Sequence, residues 1–369
     1  MSNPNEPDET PAKAEPSLDN GDLLSWDEAK DRAEWTGLLV GNGASIAVWE
    51  EFAYDSLFER ARSERVSDPL TVGDIAVFDA LSTTNFEHAL ASLKTARTVL
   101  TALSYQTDFL KERYESIQRA LFQAVHSVHL PWGVTLTFED KLREIRKVLL
   151  EYEWIYSLNY DLILYWAVMS ARGGRGIVDF FWHGDLSFDP NDTALPDYVP
   201  DNNSRIVWLH GGIHLRRAVD GMIYKERASS DTMQNLLDKF ETSYAGDRTP
   251  LLVSEGTAED KYRAITRASY LDFALRSLAE HDGGLVVFGC SLRGEDAHLV
   301  RAINEQPVSE LAVSIRPSNS PATIIQRKAE LRSQFPEVDL YFFNSETHPL
   351  GDPALRVKRP KLGNIFKRS

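Results

Sequence analysis

Short apolar runs alternating with stretches of helical periodicity organise this chain of 369 residues. Trp35–Val40 is the first run and reads as a buried strand, preceded over Asp27–Trp35 by either a short helix or a surface connector. It enters Gly41-Asn42-Gly43-Ala44-Ser45, a glycine turn followed by helical spacing from Ala47 to Arg60. No strand pattern follows until residue 150. Instead apolar residues recur three and four apart in Phe86-Ala89-Leu90-Leu93, from Phe109 through Val125, and again from Phe138 to Tyr152, with a break at Leu130-Pro131-Trp132-Gly133. Strands resume at Ile155–Asp161, Ile177–Phe181, Ile206–Leu209, Pro250–Ser254, Gly284–Gly289, Leu311–Ile315 and Val338–Phe343. Helices are expected between them at Leu162–Ala171, Tyr262–Ala279, Asp296–Ile303 and Ala322–Gln334, a turn at Gly173–Gly176, and loop over Asp185–Ser204.

Apolar strands alternating with helices predict an α/β fold, a Rossmann-like, mostly parallel sheet with helices on both faces. The helical stretch makes a large insertion after the first βα unit, placed at 65–150 within a domain of 21–350. Residues 1–20 read as a disordered acidic leader and 351–369 as a basic tail.

Composition narrows the function classes. A net charge of −15 argues against a chain that coats nucleic acid or anionic membrane, so direct nucleic-acid binding is not expected. A single cysteine, Cys290, excludes an intrachain disulfide framework and a four-cysteine zinc site, which with the lack of a signal-like leader points to the cytoplasm. No segment approaches the roughly 18 uninterrupted apolar residues of a membrane span.

In a parallel sheet, polar residues at the carboxyl ends of strands converge on one crevice. Four strands here end in such residues. The turn at Gly41, Asn42, Gly43 and Ser45 aims backbone N–H groups and a helix N-terminus at one spot, an arrangement suited to phosphate, or simply makes a tight strand-to-helix turn. G-x-G-x-S is shorter than the dinucleotide fingerprint, with Ile46 where its third glycine stands and no acidic strand end about 20 residues on. Asn159 and Asp161, two apart, can place an amide and a carboxylate in the crevice, or serve as turn former and helix cap. His210 follows Val207-Trp208-Leu209 and precedes Gly211-Gly212, so its ring is expected at the sheet edge beside open space, able to handle a proton. His183 is its rival. Gly289-Cys290-Ser291 forms a second glycine turn in which Ser291 can meet ribose or phosphate, or cap a helix whose first turn holds Glu295 and Asp296. Cys290 has no basic partner in sequence and defaults to a buried thiol.

Taken in order, Gly41-Asn42-Gly43-Ala44-Ser45, Ser157-Leu158-Asn159-Tyr160-Asp161, Trp208-Leu209-His210-Gly211 and Phe288-Gly289-Cys290-Ser291 resemble the G-A-G-x-S, T-Q-N-x-D, L-H-G and G-x-S motifs of the sirtuin-like family. The likeness is greatest to prokaryotic members with a helical insertion after the first βα unit, many of them NAD-cleaving effectors of antiphage defence. The resemblance implies that Gly41, Asn42, Gly43 and Ser45 hold the pyrophosphate of NAD, with Gly289 and Ser291 on the adenosine side. It implies Asn159 against the nicotinamide ribose, Asp161 near the carboxamide and His210 as the active-site histidine. Asn42 replaces an alanine and Leu158 a glutamine of the family pattern. The four zinc cysteines of the family's protein deacetylases are missing, which argues against their zinc ribbon and against protein deacetylation, and no metal is expected.

The expected activity is therefore hydrolysis of the nicotinamide–ribose bond of NAD, as substrate, to ADP-ribose and nicotinamide, by positioning of ribose and water more than by covalent chemistry. Two alternatives remain: an NAD or ADP-ribose binding module without turnover, and an ADP-ribosyltransferase. A homo-oligomer and a protein partner that triggers activity are expected from the same resemblance. The helical insertion serves as an oligomer interface or as a cap over the pocket.

Overall fold

In the computed structural model, the described residues are 20–358 apart from 54–56, 64–65, 131–137, 171–175, 198, 201, 227–235, 237–247, 254–256 and 306–307. The expected leader to residue 19, the turn residues 173–175, the break at 131–133, Ser254 and the tail from 359 lie outside them.

Ser25 starts α1 (Trp26–Lys30) through a capping box with Glu28. Strand β1 (Trp35–Val40) follows, and α2 (Asn42–Val48) begins directly after it. The insertion carries α3 (Leu57–Arg62), α4 (Val72–Ala80), α5 (Phe86–Ala102), α6 (Asp108–Val128) and α7 (Glu139–Leu149). The chain returns to the sheet with β2 (Trp154–Ser157), α8 (Ile163–Met169), β3 (Ile177–Val178) and β4 (Ser204–Trp208). A separate small sheet is made by β5 (Gly211–Arg217), β6 (Ile223–Lys225) and β7 (Thr249–Leu252). Last come α9 (Ala258–Thr266), α10 (Ser269–Ala279), β8 (Gly284–Phe288), α11 (Ala297–Glu305), β9 (Glu310–Ile315), α12 (Pro321–Gln334) and β10 (Asp339–Asn344).

The main sheet has seven strands in the order β10-β9-β8-β1-β2-β4-β3, every pairing parallel. Helices flank it, and β1, β8 and β9 are apolar and buried because both faces are covered. The Rossmann-like α/β class with a helical insertion after the first βα unit is the observed one.

Four local readings change. Helical spacing over Ala47–Arg60 is interrupted at Trp49, whose backbone is extended (φ −143°, ψ 110°). The Trp49 ring is buried and its Nε1 donates to Val128 O at 3.1 Å, so a tertiary anchor overrides local propensity. Ile177–Phe181 yields only a two-residue strand, since Phe180 takes a positive φ of 66°. Tyr262–Ala279 divides into α9 and α10 at Arg267-Ala268. Finally, Gly211-Gly212, read as a glycine turn after the strand, begins a second strand, β5. Gly211 has φ +73°, and a Cβ there would sit 2.0 Å from Leu251 O, so the glycine lets the chain leave the parallel sheet and pair antiparallel with β7.

Candidate functional site

Ladder register brings the four motif strands to one rim. Val40 pairs with Ser157 and with Phe288, and Ser157 pairs with Trp208. Gly289-Cys290, Gly41-Asn42, Leu158-Asn159 and Leu209-His210 are therefore the first residues past the same row on the adjacent strands β8, β1, β2 and β4. Strands about 4.8 Å apart put that rim across roughly 14 Å.

At the β1–β8 end the two glycine turns interlock. Gly41 N donates to Phe288 O and Gly43 N to Gly289 O, both at 2.8 Å. Cβ atoms at Gly41 or Gly43 would lie 2.6 Å from Gly289 atoms, and Gly289 itself has φ +68°. These glycines are required by backbone approaching backbone. The expectation that the first turn leaves the Gly41 and Gly43 amides free is corrected: both are already bonded.

Beneath the turn, three predicted residues form one buried network. Ser45 Oγ donates to Asp161 Oδ2 at 2.6 Å and accepts from Asn159 Nδ2 at 2.8 Å, while Asp161 Oδ1 accepts from Ile163 N at 2.8 Å. Burial raises the Asp161 carboxyl above its ordinary range against the pull of these donors. Asn159 Oδ1 is buried with no partner. The corner is braced by His129 from the end of α6. Its Nε2 accepts from Leu162 N at 3.1 Å, which leaves Nδ1 to donate to Leu130 O at 3.2 Å. Burial pulls the His129 ring down to about 3, so it stays neutral.

His210 does not face open space. It is buried, its carbonyl accepts from Val253 N, and its Nε2 lies 3.0 Å from Nε2 of His298 on α11. Burial, then the charge of Lys261 and His298, holds its pKa well below the ordinary histidine value. Around this pair Lys261 Nζ and Asp296 Oδ1 form a buried ion pair at 3.2 Å, and Cys290 Sγ lies 3.9 Å from Asp296 Oδ2. Burial raises Asp296, and burial with the Asp296 charge pushes the Cys290 thiol up to about 12. Elements from β8 onward thus reach over β1 and β2 to meet the end of β4.

A cavity of about 700 Å³ opens at the ends of β1, β8 and β9, within the size range of small-ligand pockets. Asn42, Gly43, Gly289, Cys290 and Ser291 line it. Ser45, Asn159, Asp161 and His210 are buried and do not line it; Ser45 is one residue from Ile46 of the lining. His183 stands apart, 3.3 Å from Asp192. Glu295 and Asp296 sit in a single 3-10 turn before α11, and the Asp296 side chain turns inward to Lys261.

Sequence reasoning missed Lys261, His298 and His129. Each lies in an amphipathic helix or at its end, where nothing in the neighbouring sequence separates it from the other polar positions. Among the described residues no group of three or more His, Cys, Asp or Glu side chains is placed to hold a metal, and no helix is long and apolar enough to cross a membrane.

No curated protein matches the chain. A solved structure described as "Structural Basis for the Mechanism and Regulation of Sir2 Enzymes" shares 12% identity, covering 82% of this chain and 95% of that chain with a TM-score of 0.30. Residues 38–350 match the family described as Domain of unknown function (DUF4917), and the chain belongs to that family.

Proposed function

We propose that the rim binds NAD with its pyrophosphate by Gly43 and its nicotinamide ribose by Asn159 and His210, and that the protein hydrolyses the nicotinamide–ribose bond. The observation that carries this reading is Asn159: its Nδ2 is fixed by Ser45 and its Oδ1 is buried with no partner, an acceptor in want of a hydroxyl or water. In the reaction the C–N bond breaks, nicotinamide leaves as a neutral ring, and water supplies the new C–O bond. Asn159 Oδ1 orients ribose or water, neutral His210 accepts the water proton, and Asp161 orders the corner toward the carboxamide. Action as a cytoplasmic antiphage effector, as a homo-oligomer or with a triggering protein, belongs to the same reading.

A second reading is NAD or ADP-ribose binding without turnover. It is favoured by exposure, since the cavity touches Asn42, Gly43, Gly289 and Ser291 while the proposed catalytic side chains are enclosed. Loss of NAD is to be followed with the full chain, beside Asn159→Ala and His210→Ala. Turnover abolished in both variants supports hydrolysis. Full rates in both would remove the assignment, and saturable binding without product favours the second reading. Label transferred to protein would instead indicate ADP-ribosyl transfer.

A further inference from the structure

We infer that the cavity selects an adenine dinucleotide carrying an additional phosphate on its adenosine ribose, NADP in place of NAD. This rests on the proposed dinucleotide reading of the same rim.

The chain is acidic overall, at −15, yet four arginines line this cavity, Arg293, Arg316, Arg327 and Arg356, against two carboxylates, Glu330 and Glu346. Their placement matters more than their number. Arg316 directly follows β9, which lies two strand intervals from β1, so it stands about 10 Å along the rim from the first glycine turn, on the side away from Asn159. A pyrophosphate by Gly43 therefore leaves Arg316 on the side of the adenosine half.

Arg327, on α12, has a side chain only 13% exposed. Its Nη1 donates to Glu330 at 3.0 Å, while its Nη2 is buried without a partner. Glu330 is already engaged by Arg327 and by Gln326 at 2.9 Å, so it does not compete for the second nitrogen. Glu346 lies one strand further out, after β10. Ser318, Asn319 and Thr323 add neutral donors to the same wall.

An orphaned guanidinium nitrogen in a cavity lined by further arginines offers charge-assisted donors to a phosphate dianion. In dinucleotide folds an acid receives the ribose 2′-hydroxyl of NAD, and an arginine accommodates the 2′-phosphate of NADP. Here β9 ends in Ile315-Arg316, a cation directly after the strand.

Calorimetry on the full chain with NAD, NADP, adenosine 5′-monophosphate and adenosine 2′,5′-bisphosphate tests this. NADP is expected to bind at least about tenfold tighter than NAD, and the bisphosphate tighter than the monophosphate by a similar factor. Arg316→Ala, at an exposed position, and Arg327→Gln should each shrink that preference. Equal affinity for NAD and NADP overturns the inference and leaves the proposed function standing, as does a preference that survives in both variants. If neither NAD nor NADP binds, both the inference and the proposed function are overturned.

Discussion

His210 Nε2 and His298 Nε2 face each other at 3.0 Å, so one proton serves the contact and the two rings must hold complementary tautomers. A second proton would turn one ring into an imidazolium and set two N–H groups against each other beside the Lys261 cation. Burial, ahead of Lys261 and Arg301, brings His298 down to about 4. The side chain proposed to take a proton is therefore neutral at neutral pH, and its partner comes from an element more than eighty residues later in the chain.

Stability is predicted to fall steeply on mild acidification. His129, His210, His214, His281, His298 and His348 all have folded-state values lowered by burial. Below the ordinary histidine value of 6.5 the unfolded chain binds protons that the folded chain refuses. Their stabilisation is complete above pH 6.5 and is lost progressively toward about 4 for His298 and about 3 for His129 and His348. Asp161 and Asp296, raised by burial, act in the opposite sense but are two against six. Urea midpoints at several pH values between 7.5 and 4 should hold level down to about 6.5 and decline from there. His298→Gln should flatten the slope over pH 4–6.5 by about 1.4 kcal/mol per pH unit. A flat profile for the parent chain contradicts the burial argument.

Asp161 is predicted to tolerate a neutral amide far better than truncation. Its carboxyl receives Ser45 Oγ and Ile163 N in a buried corner, and burial already disfavours its charge. Asp161→Asn keeps an acceptor and should cost about 1 kcal/mol, whereas Asp161→Ala strands both donors and should cost about 2 to 4 kcal/mol. Denaturant titration of the two variants measures the difference. Equal losses would indicate that shape, not hydrogen bonding, holds the corner.

How much of this was legible beforehand follows from how local each signal is. Buried parallel strands announce themselves as runs such as Leu38-Leu39-Val40 and Leu285-Val286-Val287, so the sheet and the insertion after its first unit were readable. The meeting of Ser45 with Asn159 and Asp161 followed from strand ends sharing an edge. The His210–His298 contact was not readable, because it depends on how α11 crosses the rim and nothing near His298 marks it as different from a core residue. What packs against the glycines was not readable either, since a G-x-G turn looks alike whether a ligand or another backbone presses on it.

Cys290 is predicted to resist alkylation although it lines the cavity. Its thiol is pushed up to about 12 by burial and by the Asp296 carboxylate, and thiolate is the reacting form. Iodoacetamide at pH 8 should label the folded chain at least about tenfold more slowly than the chain in urea. Asp296→Asn removes the nearby negative charge and should speed labelling of the folded protein. Native labelling as fast as that of the unfolded chain would contradict the assigned environment.

Gly289→Ala is predicted to unlock the two turns and with them the cavity wall. Gly289 O accepts Gly43 N at 2.8 Å, its N donates to Ser314 Oγ at 2.9 Å, and its φ of +68° is unfavourable for any residue with a Cβ. An added methyl would meet Ala44 N at 2.6 Å and Gly43 Cα at 2.8 Å, backbone atoms that cannot swing aside. Strain in the left-handed region and the clash together should cost at least about 2 kcal/mol, and the displaced Asn42 and Ser291 should lose nucleotide binding. Gly184→Ala is the control, because nothing lies within 4 Å of a Cβ there and the change should stay within about 0.5 kcal/mol. Thermal melts and calorimetry on both variants separate the two sites. If Gly289→Ala melts like the parent and binds nucleotide unchanged, the interlock of β1 and β8 turns does not shape the site.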